Sequence, residues 1–302
     1  MPAAQPRLSA PPGTCDSHIH IYDPTKPVAP TATGPGPAWA NVAAYASAVQ
    51  RPLGLTRAVV VQPTTYGFDN SCTVEAIAAL GLDRTRGVAI VGPDVSDAEL
   101  QRLTDAGIRG ARFQMLAGGP VPWDALEPVA YHIAGFGWCI QLQLDGRLLA
   151  EREALLKRLP CRLIIDHVGK FLEPVPVEHS GFRTILHLID GGRTWLKLAG
   201  AYETSKAGGP LYPDVGALAK AAIAAAPERM IWASNWPHVS VQHPPDDAAL
   251  LDLLFDWAPD VAVRHRILVE NPAELYGFSP SSWPPPWRAH LHGPRGYRSR
   301  DR

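Results

Sequence analysis

Two imidazoles stand one residue apart in the run Asp16-Ser17-His18-Ile19-His20. If that run is a β-strand, its period of two puts both rings on one face. Aligned imidazoles at a strand end can bind a metal, carry a proton or polarise a carbonyl. A third, His167, ends the apolar run Leu163-Ile164-Ile165-Asp166-His167. Neighbouring side chains in a strand face opposite ways, so Asp166 reads as structural if His167 enters a site. Asn235 follows Ile231-Trp232-Ala233-Ser234. A buried Asn can form a turn; at a pocket mouth it is equally suited to donate a hydrogen bond to a substrate oxygen. His18, His20, His167 and Asn235 are therefore the candidate catalytic set.

Cations come next, because a charge facing the inside of a fold is costly without a partner. Arg112, between Ala111 and Phe113, reads as a bidentate partner for a substrate carboxylate. Lys197 reads either as a second such cation or as a surface residue whose stem packs while its head reaches water. Gln62, Tyr66, Gln143, Tyr202 and His238 are expected as further polar liners, with Trp236 and Pro237 shaping the loop between Asn235 and His238. Cys15, Cys72, Cys139 and Cys161 form no C-x-x-C pair, which argues against a thiolate zinc site and a disulfide framework. Cys139 and Cys161 fall in apolar runs. Cys15 stands beside the candidate site with no adjacent base and reads as a packing residue.

Elements that could carry these residues alternate along the chain. Short apolar, β-branched runs give expected strands at Thr14–His20, Ala58–Gln62, Gly87–Val91, Gly110–Phe113, Cys139–Leu144, Arg162–Asp166, Thr194–Leu198 and Met230–Ala233. Helical patterns fall between them at Asn41–Leu53, Asn70–Gly81, Asp97–Ala106, Trp123–Gly135, Leu148–Leu159, His179–Asp190, Tyr212–Ala226 and Pro245–Ala258, with a last one at Asp260–Leu268. Ser96 and the acidic residues after it open the third helix, and Gly107 closes it. Eight strand–helix repeats, with no G-x-G-x-x-G after the first strand, predict an α/β fold of one (β/α)₈ TIM barrel over residues 14–277. Residues 1–13 form an N-terminal extension and 278–302 a Pro/Arg-rich C-terminal tail. The Pro/Gly-rich stretch 24–40 is expected to hang over the pocket, since active sites of such barrels lie at the C-terminal ends of the strands.

Taken together, Asp16-Ser17-His18-Ile19-His20, Asp166-His167-Val168-Gly169-Lys170 and Ser234-Asn235-Trp236-Pro237-His238 resemble the amidohydrolase-related group of the amidohydrolase superfamily. That group includes the pyrone-dicarboxylate lactonases. The resemblance covers about residues 14 to 277. It implies an enzyme acting on a carboxylated lactone of sugar-acid or pyrone type. In the lactonases the last motif carries an Asp as the base that activates water, where this chain has Asn235. The Asn-Trp-Pro-His form looks like the galactarolactone isomerases, which move an acyl group between hydroxyls, as does the stretch from Lys197 to Ser205. An amide cannot take a proton from water near neutral pH, whereas a hydroxyl of the substrate itself has a large effective molarity. Isomerisation by internal acyl transfer is therefore expected ahead of hydrolysis. Metal-dependent members of the superfamily use the paired His, a bridging Lys or Glu, further His and the terminal Asp. Here Gln141 and Gln143 stand on the fifth strand and Asn235 on the eighth. The lactonase-like members need no metal, so no cofactor is expected. Zinc on His18, His20 and His167 in a hydrolase or decarboxylase is the alternative, and a catalytically silent sugar-acid-binding barrel is a third reading.

The bulk sequence agrees with a single enzyme domain. Of 302 residues, 46% are hydrophobic and 19% charged, which is enough apolar material for a large core. Lys+Arg 28 against Asp+Glu 29 leaves a formal charge of -1, so no overall field recruits nucleic acid or an anionic membrane. An anionic small molecule must then be held by a few local cations. No signal-peptide pattern opens the chain and no stretch is long enough to span a bilayer, which places the protein in the cytoplasm as an expectation.

Overall fold

A computed structural model describes residues 5–279. Eight parallel strands run in the order β1 to β8: Cys15–Ile19, Arg57–Val61, Thr85–Ala89, Ile108–Gln114, Cys139–Gln143, Leu163–Ile165, Thr194–Leu198 and Met230–Trp232. The seam between β1 and β8 is closed outside regular ladder pairing. His20 N donates to Trp236 O at 2.9 Å and Asn235 N donates to His18 O at 3.0 Å, with a parallel bridge between Ile19 and Trp236. This is the predicted (β/α)₈ barrel. β7 has the predicted bounds, and β3 begins two residues earlier than expected.

Alternation along each strand builds two apolar layers. Outward residues such as Ala58 and Val60, Ile140 and Leu142, and Leu196 and Leu198 pack under the helices. Inward ones such as Val59, Val61, Val88, Cys139, Ile164, Trp195 and Ile231 fill the lumen, which Leu275, Tyr276 and Phe278 close from below. The lumen face then changes character toward the C-terminal strand ends. On β5 it reads Cys139, Gln141, Gln143; on β7 it passes from Trp195 to Lys197 and on β4 from Gly110 to Arg112. An apolar floor under a polar mouth is the layering that lets a barrel be both a core and a site.

The helices carry their expected signals. Ser96 caps Asp97–Asp105 by accepting from Glu99 N at 3.2 Å, and Gly107 follows it with φ +97°. Asp246 caps Asp247–Trp257 by accepting from Ala248 N and Ala249 N. Three expected long helices are instead composite. Val42–Tyr45 continues as a π turn Ala46–Gln50, Glu153–Arg158 is preceded by 3₁₀ turns over Gly146–Arg152, and the last helix passes through a π turn at Arg266–Glu270. A short helix Ala201–Thr204 directly after β7 has no apolar periodicity long enough to be read from sequence.

The N-terminal extension is tied down: Leu8 is buried, and Arg7 and the Leu8 amide both meet the Asp252 carboxylate. Of the predicted tail 278–302 only Phe278 and Ser279 lie within the described residues; Phe278 joins the lumen floor and Ser279 O accepts from Arg57. Stretch 24–40 lies at the mouth. Trp39 packs edge-on to Trp236 at 5.6 Å, and a Cβ on Gly36 would fall 1.8 Å from the Tyr22 ring. Among the described residues no helix is long and apolar enough to cross a membrane.

Candidate active site

β1 and the residue that follows it deliver His18 and His20 to the lumen. Cys15 and His18, three apart, both face inward, so one residue must be absorbed. A register break between Asp16 and Ile19 does this. Asp16 is thereby freed for a structural task beneath the site: it accepts from Ser234 N at 2.9 Å, Ser234 Oγ at 2.6 Å and Tyr45 OH at 3.2 Å, tying β1 to the loop after β8. Burial pushes its carboxyl up to about 6, against those hydrogen bonds.

The protons on the paired imidazoles follow from their partners. His20 Nδ1 lies 2.8 Å from Val61 O, which only accepts, so Nδ1 carries the hydrogen and Nε2 the lone pair. His18 Nε2, 3.1 Å from His20 Nε2, must then be the donor. That leaves His18 Nδ1 as an acceptor, and its two hydrogen-bonding neighbours are donors, Lys197 Nζ at 3.1 Å and Gln141 Nε2 at 3.4 Å, with Asp166 Oδ1 farther off at 3.7 Å. This pattern is self-consistent with both rings neutral. Burial, then the Lys197 charge, holds His18 well below the usual imidazole range, and burial with Arg112 brings His20 down to about 3.

Lys197 is the cation of this cluster and is fully buried, so the surface alternative for it is corrected. Its Nζ is 3.0 Å from Asp166 Oδ1, and Gln141 Nε2 donates to Asp166 Oδ2 at 3.0 Å. Burial works to raise the Asp166 carboxyl, but Lys197 and the other nearby positive groups outweigh it and hold the carboxyl below its ordinary value. The structural reading of Asp166 is corrected as well. Asp166 stands two residues after the inward Ile164 and so keeps the lumen face; it is His167 that alternation would turn away, but β6 stops at Ile165. His167 and Val168 take left-handed φ of 54° and 52°, so Asp166 and His167 both reach the cluster. The His167 ring lies 5.0 Å from that of His18, as the His20 ring lies 4.8 Å from it. His167 Nδ1 is buried without a hydrogen-bond partner, packed where a Cβ on Gly200 would come within 2.9 Å of it.

Arg112 is buried and, among the described residues, has no carboxylate against it: its NH1 donates to Gln62 O at 2.7 Å, and NH2 to Gln114 Oε1 at 2.8 Å and Gln143 Oε1 at 3.4 Å. Its Nε is buried with no partner. Gln62 meets Arg112 only through its backbone. Its side chain is spent on Gly67 O, Asp69 O and Thr73, so the structure turns it away from the mouth. Tyr66 holds the Asp23 backbone on both sides, accepting from N and donating to O, with its ring 6.1 Å from Tyr22. It supports stretch 24–40.

At the opposite rim Asn235, with φ +65°, gives its Nδ2 to Tyr202 OH at 2.8 Å. Tyr202 OH is also 2.8 Å from His238 Nδ1, and His238 Nε2 is 3.0 Å from Asp247 Oδ1. Nearby, a buried ion pair joins Lys170 Nζ to Glu203 Oε2 at 2.5 Å, and Ser240 donates to Glu203 Oε1. Neither Glu203 nor Asp247 was among the expected residues. The stretch from Lys197 to Ser205 carries the signal for Glu203, but Asp247 opens a helix and reads from sequence as an ordinary acidic first-turn residue.

A closed parallel barrel with paired imidazoles on β1, an Asp-His turn after β6 and a polar cluster at the strand C-termini defines the amidohydrolase type of enzyme barrel. The chain belongs to the amidohydrolase family, whose profile matches residues 15–278. It is 36% identical over 279 residues to a D-galactarolactone isomerase of Agrobacterium fabrum, covering 91% of this chain and 94% of that protein. A 4-sulfomuconolactone hydrolase of Rhizobium radiobacter is 34% identical over 89% of this chain and 92% of its own. The apo crystal structure of an Agrobacterium tumefaciens protein superposes with a TM-score of 0.87 at 36% identity, covering 91% of this chain and all of that one.

Proposed function

We propose that the protein isomerises a carboxylated sugar-acid lactone by internal acyl transfer, without a bound metal. The observation that carries this reading is the amide at Asn235 in place of a carboxylate, hydrogen-bonded at the rim of a site that also holds neutral imidazoles, the Lys197–Asp166 pair and Arg112. The likeness to a lactone isomerase supports it.

In this reading Arg112, a buried cation with no carboxylate of its own, receives the substrate carboxylate and fixes the ring over the lumen. The attacking group is a hydroxyl of the substrate, oriented by Asn235. Its oxygen forms a bond to the lactone carbonyl carbon while the ring C–O bond breaks. His167, neutral and without a hydrogen-bond partner at Nδ1, takes the hydroxyl proton and returns it to the departing ring oxygen. No water is consumed and no acid released. Lys197 stands with Asp166 as the fixed charge that stabilises oxyanion character at the carbonyl.

The donor set does not fit a resident divalent ion. His18, Asp166 and His167 offer ligand atoms within 4.8 Å of one another, but Asp166 is already neutralised by Lys197. The two Nε2 atoms of the His-x-His pair share one proton between them, and His18 Nδ1 is directed at donors. Zinc would have to displace all three arrangements.

The test is Asn235→Asp. A carboxylate at that position can act as base for water, an effect of about 10²–10⁴-fold, so the ratio of ring-opened acid to isomerised lactone, followed by NMR on aldaric acid lactones with chelator present, is expected to rise in the variant. A parent that already hydrolyses efficiently, with no gain on substitution, points instead to a lactonase.

A further inference from the structure

Four side chains from three segments form one unbranched hydrogen-bonded chain: Asn235, Tyr202, His238 and Asp247, linked at 2.8, 2.8 and 3.0 Å. With His238 neutral, the direction of every bond in it follows from its last member. An ionised carboxylate only accepts, so neutral His238 carries its hydrogen on Nε2, toward Asp247. His238 Nδ1 is then a lone pair, and the only hydrogen that can fill it is that of Tyr202 OH. With its single hydrogen committed, Tyr202 can only accept from Asn235, and this fixes the amide with Nδ2 on Tyr202 and Oδ1 turned away. His238 is held in place for this task by a left-handed φ of 63° and 4% exposure.

We propose that Asp247, His238 and Tyr202 are positioning residues that lock the Asn235 amide so that its Oδ1 accepts the hydrogen bond that orients the attacking substrate hydroxyl before that hydrogen passes to His167. The inference rests on the acyl-transfer reading above for what Oδ1 meets, but the lock itself does not. It assigns a reason for the amide beyond the loss of a base. A carboxylate at position 235 has no hydrogen to give Tyr202, whose own is already committed, so two oxygens would face one another at hydrogen-bond distance. The polarity of the chain matches Asn and opposes Asp. It also narrows the substrate class to lactones that keep a free hydroxyl within reach of their own carbonyl.

The test has two arms. In ¹⁵N–¹H spectra of the full chain, with His238 assigned by its loss in His238→Gln, His238 is expected neutral with its hydrogen on Nε2, and the Asn235 side-chain amide signals are expected to move in Tyr202→Phe. A hydrogen on Nδ1, or a doubly protonated ring at the assay pH, overturns the lock whatever the substrate. In the second arm, Tyr202→Phe is combined with Asn235→Asp. With Asn present, the Phe substitution is expected to lower kcat for isomerisation about tenfold while KM stays within about twofold. With the carboxylate present it is expected to be neutral or to raise hydrolysis, because it removes the opposed oxygen. Equal losses in both backgrounds would make Tyr202 a merely structural residue and sink the proposal. A correct His238 tautomer in a protein that turns over no lactone would instead count against the functional reading alone.

Discussion

The imidazoles of the lumen are kept neutral by their burial, and that has a cost in acid. Free histidine protonates near pH 6.5, whereas His20 is held down to about 3 and His18 and His167 well below the ordinary range. Below pH 6.5 the unfolded chain takes up protons that the folded one refuses, so stability rises with pH and falls on acidification. Each such residue contributes a slope of up to about 1.4 kcal/mol per pH unit, and His20 does so over the window from about 6.5 down to about 3. His20→Gln is therefore expected to flatten the dependence of urea-unfolding stability on pH by about that amount per unit between pH 6 and 4.5. An unchanged slope would show that His20 protonates in the folded state. At this scale the sequence was informative where period and polarity alone decide, as for His18 and His20. It misled at the step from Asp166 to His167, because alternation holds for Asp166 and breaks at His167, after the strand has ended. It also misled at Gln62, whose amide is drawn off by the backbone of its own loop.

Strand–helix alternation was legible because eight apolar β-branched runs recur between amphipathic ones, and β7 could be bounded to the residue. Backbone geometry at the strand ends was not: Asn and His enter the left-handed region more readily than most residues, yet too seldom to announce the turns at His167 and Asn235, and nothing announces the one at β-branched Val168. The turn from β7 into Ala201–Thr204 shows how tightly these ends are built. Gly200 has φ +66°, and a Cβ there would lie 2.9 Å from His167 Nδ1 and 3.0 Å from Glu203 Oε2. Gly200→Ala is expected to cost about 1–2 kcal/mol for the left-handed backbone, and to lower kcat more than tenfold by displacing His167. Thermal unfolding and steady-state kinetics check the two halves separately. A stable variant with full activity would mean that His167 tolerates a shift and does not carry the proton.

Across the whole molecule the barrel separates stability from chemistry by depth. Trp195, Tyr276 and Phe278 fill the floor, while His18, His20, His167, Arg112, Lys197 and Asn235 lie toward the mouth. The Tyr276 hydroxyl is buried with no hydrogen-bond partner among the described residues, an arrangement that costs about 1–3 kcal/mol. Tyr276→Phe is accordingly expected to raise unfolding stability by about 1 kcal/mol and leave kcat unchanged; a loss of stability would show the hydroxyl to be bonded. The far end of the ring behaves differently. Its last seam is made by His18, His20, Asn235 and Trp236 through their own backbones, so the contact that shuts the cylinder is the contact that assembles the pocket. A ribosome-bound chain that has not yet released its eighth repeat holds three imidazoles and no finished pocket. Catalytic competence arrives in one step with the completion of the circle, which makes enzyme activity a direct reporter of whether the last repeat has found the first.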